Sequence, residues 1–184
     1  MSPRPVFLIG FMACGKTTVG RLLAAELDCG FLDTDDLVER REGRSIERVF
    51  AESGEGRFRR AEWEALLSLD GIERTVVATG GGAFLGHLQR RWMIERGRTV
   101  WLDVPLEVAR RRTEAEGPGG RGRPLWRVHD PLALRALFER RRAAYALAEI
   151  RVDAAPPALE VARGLARILR EGAPGPGPGK PDFR

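Results

Sequence analysis

Cysteine is scarce. Cys14 and Cys29 are the only two in 184 residues, which excludes a disulfide scaffold, and their spacing fits no metal site. No apolar run approaches the length of a membrane span. The opening Met-Ser-Pro-Arg-Pro lacks the apolar stretch of a signal peptide, so a cytoplasmic protein is expected, without membrane attachment. No Asn-Lys-x-Asp segment occurs, which removes the guanine-reading switch proteins from consideration. Aromatic residues make up only 7% and do not interleave with basic ones. The net charge of +5 and the pI near 10.1 come from arginine more than lysine, scattered among acidic residues. That scatter argues against a nucleic-acid face and suits a small anionic ligand.

Against these absences stands one dense motif. The apolar run Val6-Phe-Leu-Ile9 leads into Gly10-Phe-Met-Ala-Cys-Gly15-Lys16-Thr17, a match to G-x-x-x-x-G-K-S/T, and a helix-forming run follows. Gly10 and Gly15 let the backbone curl so that successive N–H groups point into one concavity. The following helix adds the positive end of its dipole. Lys16 supplies a point charge to the β- and γ-phosphates of a nucleotide, and the Thr17 hydroxyl suits Mg²⁺. Ala13, Cys14 and Thr18 complete the phosphate-binding set.

The rest of the chain alternates strand and helix, which predicts a parallel sheet with helices on both faces. With 43% hydrophobic residues the length suits one domain. Strands are expected at Cys29–Leu32, Thr75–Ala78, Val100–Val104 and Ile150–Val152. Asp33-Thr-Asp35-Asp36 and Thr79-Gly80-Gly81-Gly82 both fall on the carboxyl edge of the sheet, where ligands gather. Asp33 or Thr34 can cap a helix while Asp35 faces the cleft, and three glycines at a strand end point to a tight turn or to close backbone approach of a ligand. Helical spacing runs from Ser45 to Leu69, interrupted at Ser53-Gly-Glu-Gly56, with Arg59 at the edge of its apolar stripe. Arg141 takes a core-facing position among Leu134, Leu137, Phe138 and Tyr145, so it meets an internal carboxylate or a ligand's anion. The Gly-rich run before Arg123 reads as a mobile lid, at about 113–125. A helix opening at Pro157 closes the domain, and the Pro/Gly run after Gly172 is expected to be disordered.

Taken jointly, the Gly10–Gly20 loop, Phe31-Leu-Asp33-Thr-Asp35, Gly43-Arg-Ser-Ile46, Phe58-Arg59-Arg60-x-Glu62, Gly80-Gly-Gly82, Arg123-Pro124-Leu125 and Arg141 four residues before Tyr145 resemble shikimate kinase over roughly residues 5–170. The resemblance implies a P-loop NTPase fold of the nucleoside-monophosphate-kinase type: a three-layer α/β domain over 1–172, with strand order 2-3-1-4-5, a substrate-binding helical region at about 34–62 and a lid. It implies transfer of the ATP γ-phosphate to the 3-hydroxyl of shikimate, on the route to chorismate and the aromatic amino acids, by a monomer.

The roles it implies are specific. Lys16, Asp35 and Arg123 would be catalytic. Asp35, Arg59, Gly80, Gly81, Gly82 and Arg141 would bind substrate, the two arginines clamping its carboxylate. Thr17 and Asp33 would hold Mg²⁺. The chain also departs from the family. Ala13 stands where many members have glycine, and Asp153-Ala-Ala-Pro-Pro lacks the usual arginine beside adenine, which leaves Arg112 as the candidate to stack there. A gluconate kinase would share the loop and lid without needing the Arg59/Arg141 clamp.

Overall fold

The computed structural model describes residues 4–115 and 131–171, and among these lie five strands and seven helices. The strands are β1 (Val6–Ile9), β2 (Gly30–Asp33), β3 (Thr75–Ala78), β4 (Arg98–Asp103) and β5 (Ile150–Asp153). All pair in parallel, in the order β2-β3-β1-β4-β5. The helices are α1 (Lys16–Leu27), α2 (Thr34–Glu42), α3 (Ile46–Leu67), α4 (His87–Arg96), α5 (Leu106–Ala115), α6 (Pro131–Tyr145) and α7 (Ala158–Glu171).

Both faces of the sheet are covered, and β1 shows how. Val6 and Leu8 point to one side, into a core with Val19 and Leu23 of α1 and Leu165 and Leu169 of α7. Phe7 and Ile9 point to the other, among Trp92, Met93, Phe138 and Tyr145 of α4 and α6. A strand buried on both sides needs an uninterrupted apolar run, and all four residues of β1 are buried.

Local signals account for most boundaries. Asp33 caps α2 by accepting from the Asp35 N–H at 3.0 Å, and Ser45 caps α3 by accepting from the Arg48 N–H at 3.4 Å. Gly54, at φ 74° and ψ 175°, breaks α3 inside the interruption that its glycines predict. Differences lie at the edges. β2 begins at Gly30 rather than Cys29 because Asp28 takes the left-handed conformation that ends α1. Periodicity gives no signal over 83–99, yet α4 forms there with only Trp92 and Met93 buried, too few to write a helical stripe. The expected lid beyond Ala115, with Arg123, and the expected disordered tail lie outside the described residues.

Candidate active site

The phosphate loop sits between the carboxyl end of β1 and α1. Gly10 (φ 145°) and Gly15 (φ 99°) adopt angles that side chains disfavour, and Ala13 joins them at φ 59°. A β-carbon on Gly10 would lie 2.7 Å from the Leu102 carbonyl oxygen and 2.9 Å from the Cys14 sulfur. Gly10→Ala is therefore expected to cost about 1–3 kcal/mol of stability. A wild-type denaturation midpoint would show that the loop relaxes at no cost.

Lys16 lies across this loop, its Nζ donating to the carbonyls of Gly10 and Phe11, both at 3.0 Å. Thr18 is exposed on the first turn of α1, while Cys14 is buried. The Thr17 hydroxyl donates to the buried Asp33 carboxylate at 2.7 Å. One hydroxyl and one carboxylate, both hard oxygen donors, fit a Mg²⁺ ion that keeps most of its shell as water and phosphate oxygen. Arg112 donates to the Cys14 carbonyl at 3.1 Å and to the Ala154 and Ala155 carbonyls at 2.8 and 3.2 Å. It thereby ties the phosphate loop to the turn after β5.

Beside the loop, Gly80-Gly81-Gly82 forms a floor from which functional side chains rise. A β-carbon on Gly80 would meet Glu62 Oε1 at 2.5 Å and Asp35 Oδ1 at 3.0 Å. At Gly81 it would approach an Arg141 nitrogen at 3.7 Å, and at Gly82 it would collide with the Arg59 guanidinium. Asp35, Arg59 and Arg141 thus converge on one strip of backbone, from α2, α3 and α6. The Gly80 N–H donates to the Thr34 hydroxyl at 2.9 Å, which fixes the near end of the strip. At its middle the Tyr145 hydroxyl donates to the Gly81 carbonyl at 2.6 Å. Tyr145 follows Arg141 by one helical turn, so this bond docks α6 with Arg141 over the floor. Burial pushes the Tyr145 phenol above its ordinary pKa and keeps it a donor. Arg141 is 7% exposed, and its guanidinium carbon lies 5.6 Å from the centre of the Phe11 ring.

Glu62 is the site residue to which the sequence reading assigns no role, although it stands in the Phe58-Arg59-Arg60-x-Glu62 match. It is buried, and it accepts from Arg59 at 3.0 Å through Oε2. Its Oε1 and the Arg141 Nε have no hydrogen-bond partner among the described residues. The signal was its place three residues after Arg59, one helical turn along α3. Burial raises the Glu62 pKa, with Arg59 and Arg141 opposing. A carboxyl whose folded pKa lies above its unfolded one stabilises the fold most when protonated. Wild type should therefore lose stability relative to Glu62→Gln as pH rises from the ordinary glutamate value through the raised one. Melting temperatures of the two proteins across that range check this, and a difference independent of pH would refute it.

The chemistry of the strip runs from acid at Gly80 to base at Gly82. Arg59 pairs with Glu62 at 3.0 Å and with Glu55 at 3.2 Å, while Arg141 Nε has no hydrogen-bond partner among the described residues, and a planar anion suits two guanidinium forks side by side. Comparisons with known proteins identify the family. A family model described as shikimate kinase matches residues 12–169. The chain belongs to the shikimate kinase family. Shikimate kinase of Moorella thermoacetica is 41% identical over 169 residues, covering 91% of this chain and 95% of that protein. Shikimate kinase of Geobacter sulfurreducens is 44% identical over 170 residues, covering 91% and 92%. Among solved structures, shikimate kinase from Acinetobacter baumannii in complex with shikimate aligns with a TM-score of 0.84 and 34% identity, covering 91% of this chain and 93% of that one. Membership makes this chain a shikimate kinase-type transferase that uses ATP, and the five-stranded order expected from the resemblance is the order found.

Proposed function

We propose that the chain transfers the γ-phosphate of ATP to the 3-hydroxyl of shikimate, with the work divided among the residues of the cleft. Lys16 neutralises the β- and γ-phosphates, and Thr17 and Asp33 would hold Mg²⁺, which would supply further positive charge to the triphosphate. Asp35 orients the attacking hydroxyl and accepts its proton. Arg59 and Arg141 receive the substrate carboxylate, and the floor offers the N–H groups of Gly81 and Gly82. Ala13, Cys14, Gly15 and Thr18 line the phosphates. Arg112 stacks on adenine, and Arg123 closes over the phosphates from the lid. The protein works as a monomer in the cytoplasm, without nucleic acid or membrane.

One observation carries this reading. Arg141 and Arg59 stand over the adjacent glycines 81 and 82, while Asp35 stands over Gly80, one residue further along the same strip. Such a strip matches a ligand with a carboxylate at one end and a hydroxyl at the other. A gluconate-type substrate also carries an acid group, so the assay must separate the two. ADP release with Mg·ATP should saturate with shikimate and remain at background with gluconate, quinate or water. Equal release without an acceptor would make the chain an ATPase and remove the clamp.

A further inference from the structure

We propose that Glu42 is a positioning residue for Arg59, acting through Arg57 across the break in α3; this rests on the reading that Arg59 meets the substrate carboxylate. Glu42 is the last residue of α2, and its side chain is only 4% exposed. It accepts from both the Nε (3.3 Å) and an outer nitrogen of Arg57, and from Arg44 at 3.5 Å. A forked, charge-assisted pair of this kind fixes orientation as well as distance. Arg44 in turn donates to the Ser53 hydroxyl at 2.7 Å and to Glu52 at 2.5 Å, on the near side of the break. The cluster therefore fastens both sides of Gly54 to the end of α2.

The break makes such fastening matter. Nothing lies within 4 Å of where a β-carbon would sit on Gly54 or Gly56, so the glycines themselves are unpacked, and the Phe50 and Phe58 rings, with centres 4.6 Å apart, meet across the break. Phe58, Ala61 and Ala65 pack against Val38 and Val49, and this apolar contact seats that half. Leu66 is buried in the other core, beside Trp92, and the polar pins add to this apolar seat in setting the roll of the helix. Arg57 and Arg59 are two residues apart, about 200° around the helix, so one faces α2 while the other faces Gly82. A roll of about 10° moves a group about 6 Å from the axis by roughly 1 Å. A misplacement of that size can cost as much as about 10²-fold in rate. Asp35 stands in the first turn of α2 and Glu42 at its end. One nine-residue helix thus references both the acid and, through Arg57, the base that face the substrate.

The test is a kinetic set on the full chain: Glu42→Gln, Arg57→Gln, Arg59→Ala, and Glu42→Gln combined with Arg59→Ala. The expected result for Glu42→Gln is a KM for shikimate raised about tenfold, with kcat and the KM for ATP within about twofold of wild type. Arg57→Gln, which alters the more exposed partner, should do the same, so a Glu42 variant that fails to fold does not decide the matter. On the Arg59→Ala background, Glu42→Gln should add nothing. A KM for shikimate that is unchanged in Glu42→Gln and Arg57→Gln but raised in Arg59→Ala overturns the proposal alone. So does an equal rise on both backgrounds, or a matching rise in the KM for ATP, either of which marks a general structural role. An Arg59→Ala enzyme with wild-type KM overturns the carboxylate reading and the proposal with it.

Discussion

A Lys16→Ala enzyme is expected to fold and to lose turnover by about 10²–10³-fold, the usual consequence of removing one preorganised charge donor from a phosphoryl or oxyanion site. The Lys16 ammonium spans the mouth of the phosphate loop on two carbonyls and the Cys14 sulfur, at 3.0, 3.0 and 3.6 Å. Lys16 itself is half-buried, so water can take the place of its ammonium beside these carbonyls, and the melting temperature should change little. Among the described residues Lys16 is the one lysine, the other in the chain being Lys180. Steady-state kcat and thermal melting on one preparation check this. A kcat within about threefold of wild type would mean that the loop holds phosphate through its N–H groups and helix dipole alone.

The second large effect is expected at Arg141. Replacing it with alanine removes one partner from a buried charged cluster, a loss of roughly 2–5 kcal/mol in binding, or about 30-fold or more in the KM for shikimate. The KM for ATP should hold, since the guanidinium faces Gly81 and the Phe11 ring rather than the Lys16 ammonium. Arg141→Lys should recover little, because an ammonium cannot form the planar fork that a carboxylate accepts. Unchanged shikimate affinity in the alanine variant would remove Arg141 from the clamp and leave its burial without a ligand-based cause.

Much of this was legible in the sequence. The P-loop announces itself because glycines, lysine and threonine at fixed spacing have few other uses. Arg141 stood out because arginine on an apolar stripe is costly without a partner, and it is buried as its spacing requires. The break in α3 was written in its glycines. What stayed hidden depends on distance between elements. Glu62 looks like an ordinary helical glutamate until α3 is set against Gly80, and Thr34 looks like an ordinary helix-start threonine until its hydroxyl accepts from the Gly80 N–H. The link from Arg112 to the turn after β5 joins residues 42 apart. The helix α4 carries too few buried positions for periodicity to register.

The three glycines of the floor are not equivalent as targets for an added methyl group. At positions 80 and 82 that carbon collides with the protein's own Glu62 and Arg59, so any defect there mixes damage to the apoenzyme with exclusion of ligand. At position 81 its nearest neighbours are 3.6 and 3.7 Å away, ordinary contact, and the protein accommodates it. Gly81→Ala is thus a one-carbon steric ruler. Whatever activity it removes from an otherwise undisturbed enzyme measures how closely the bound molecule rides on the backbone beneath it.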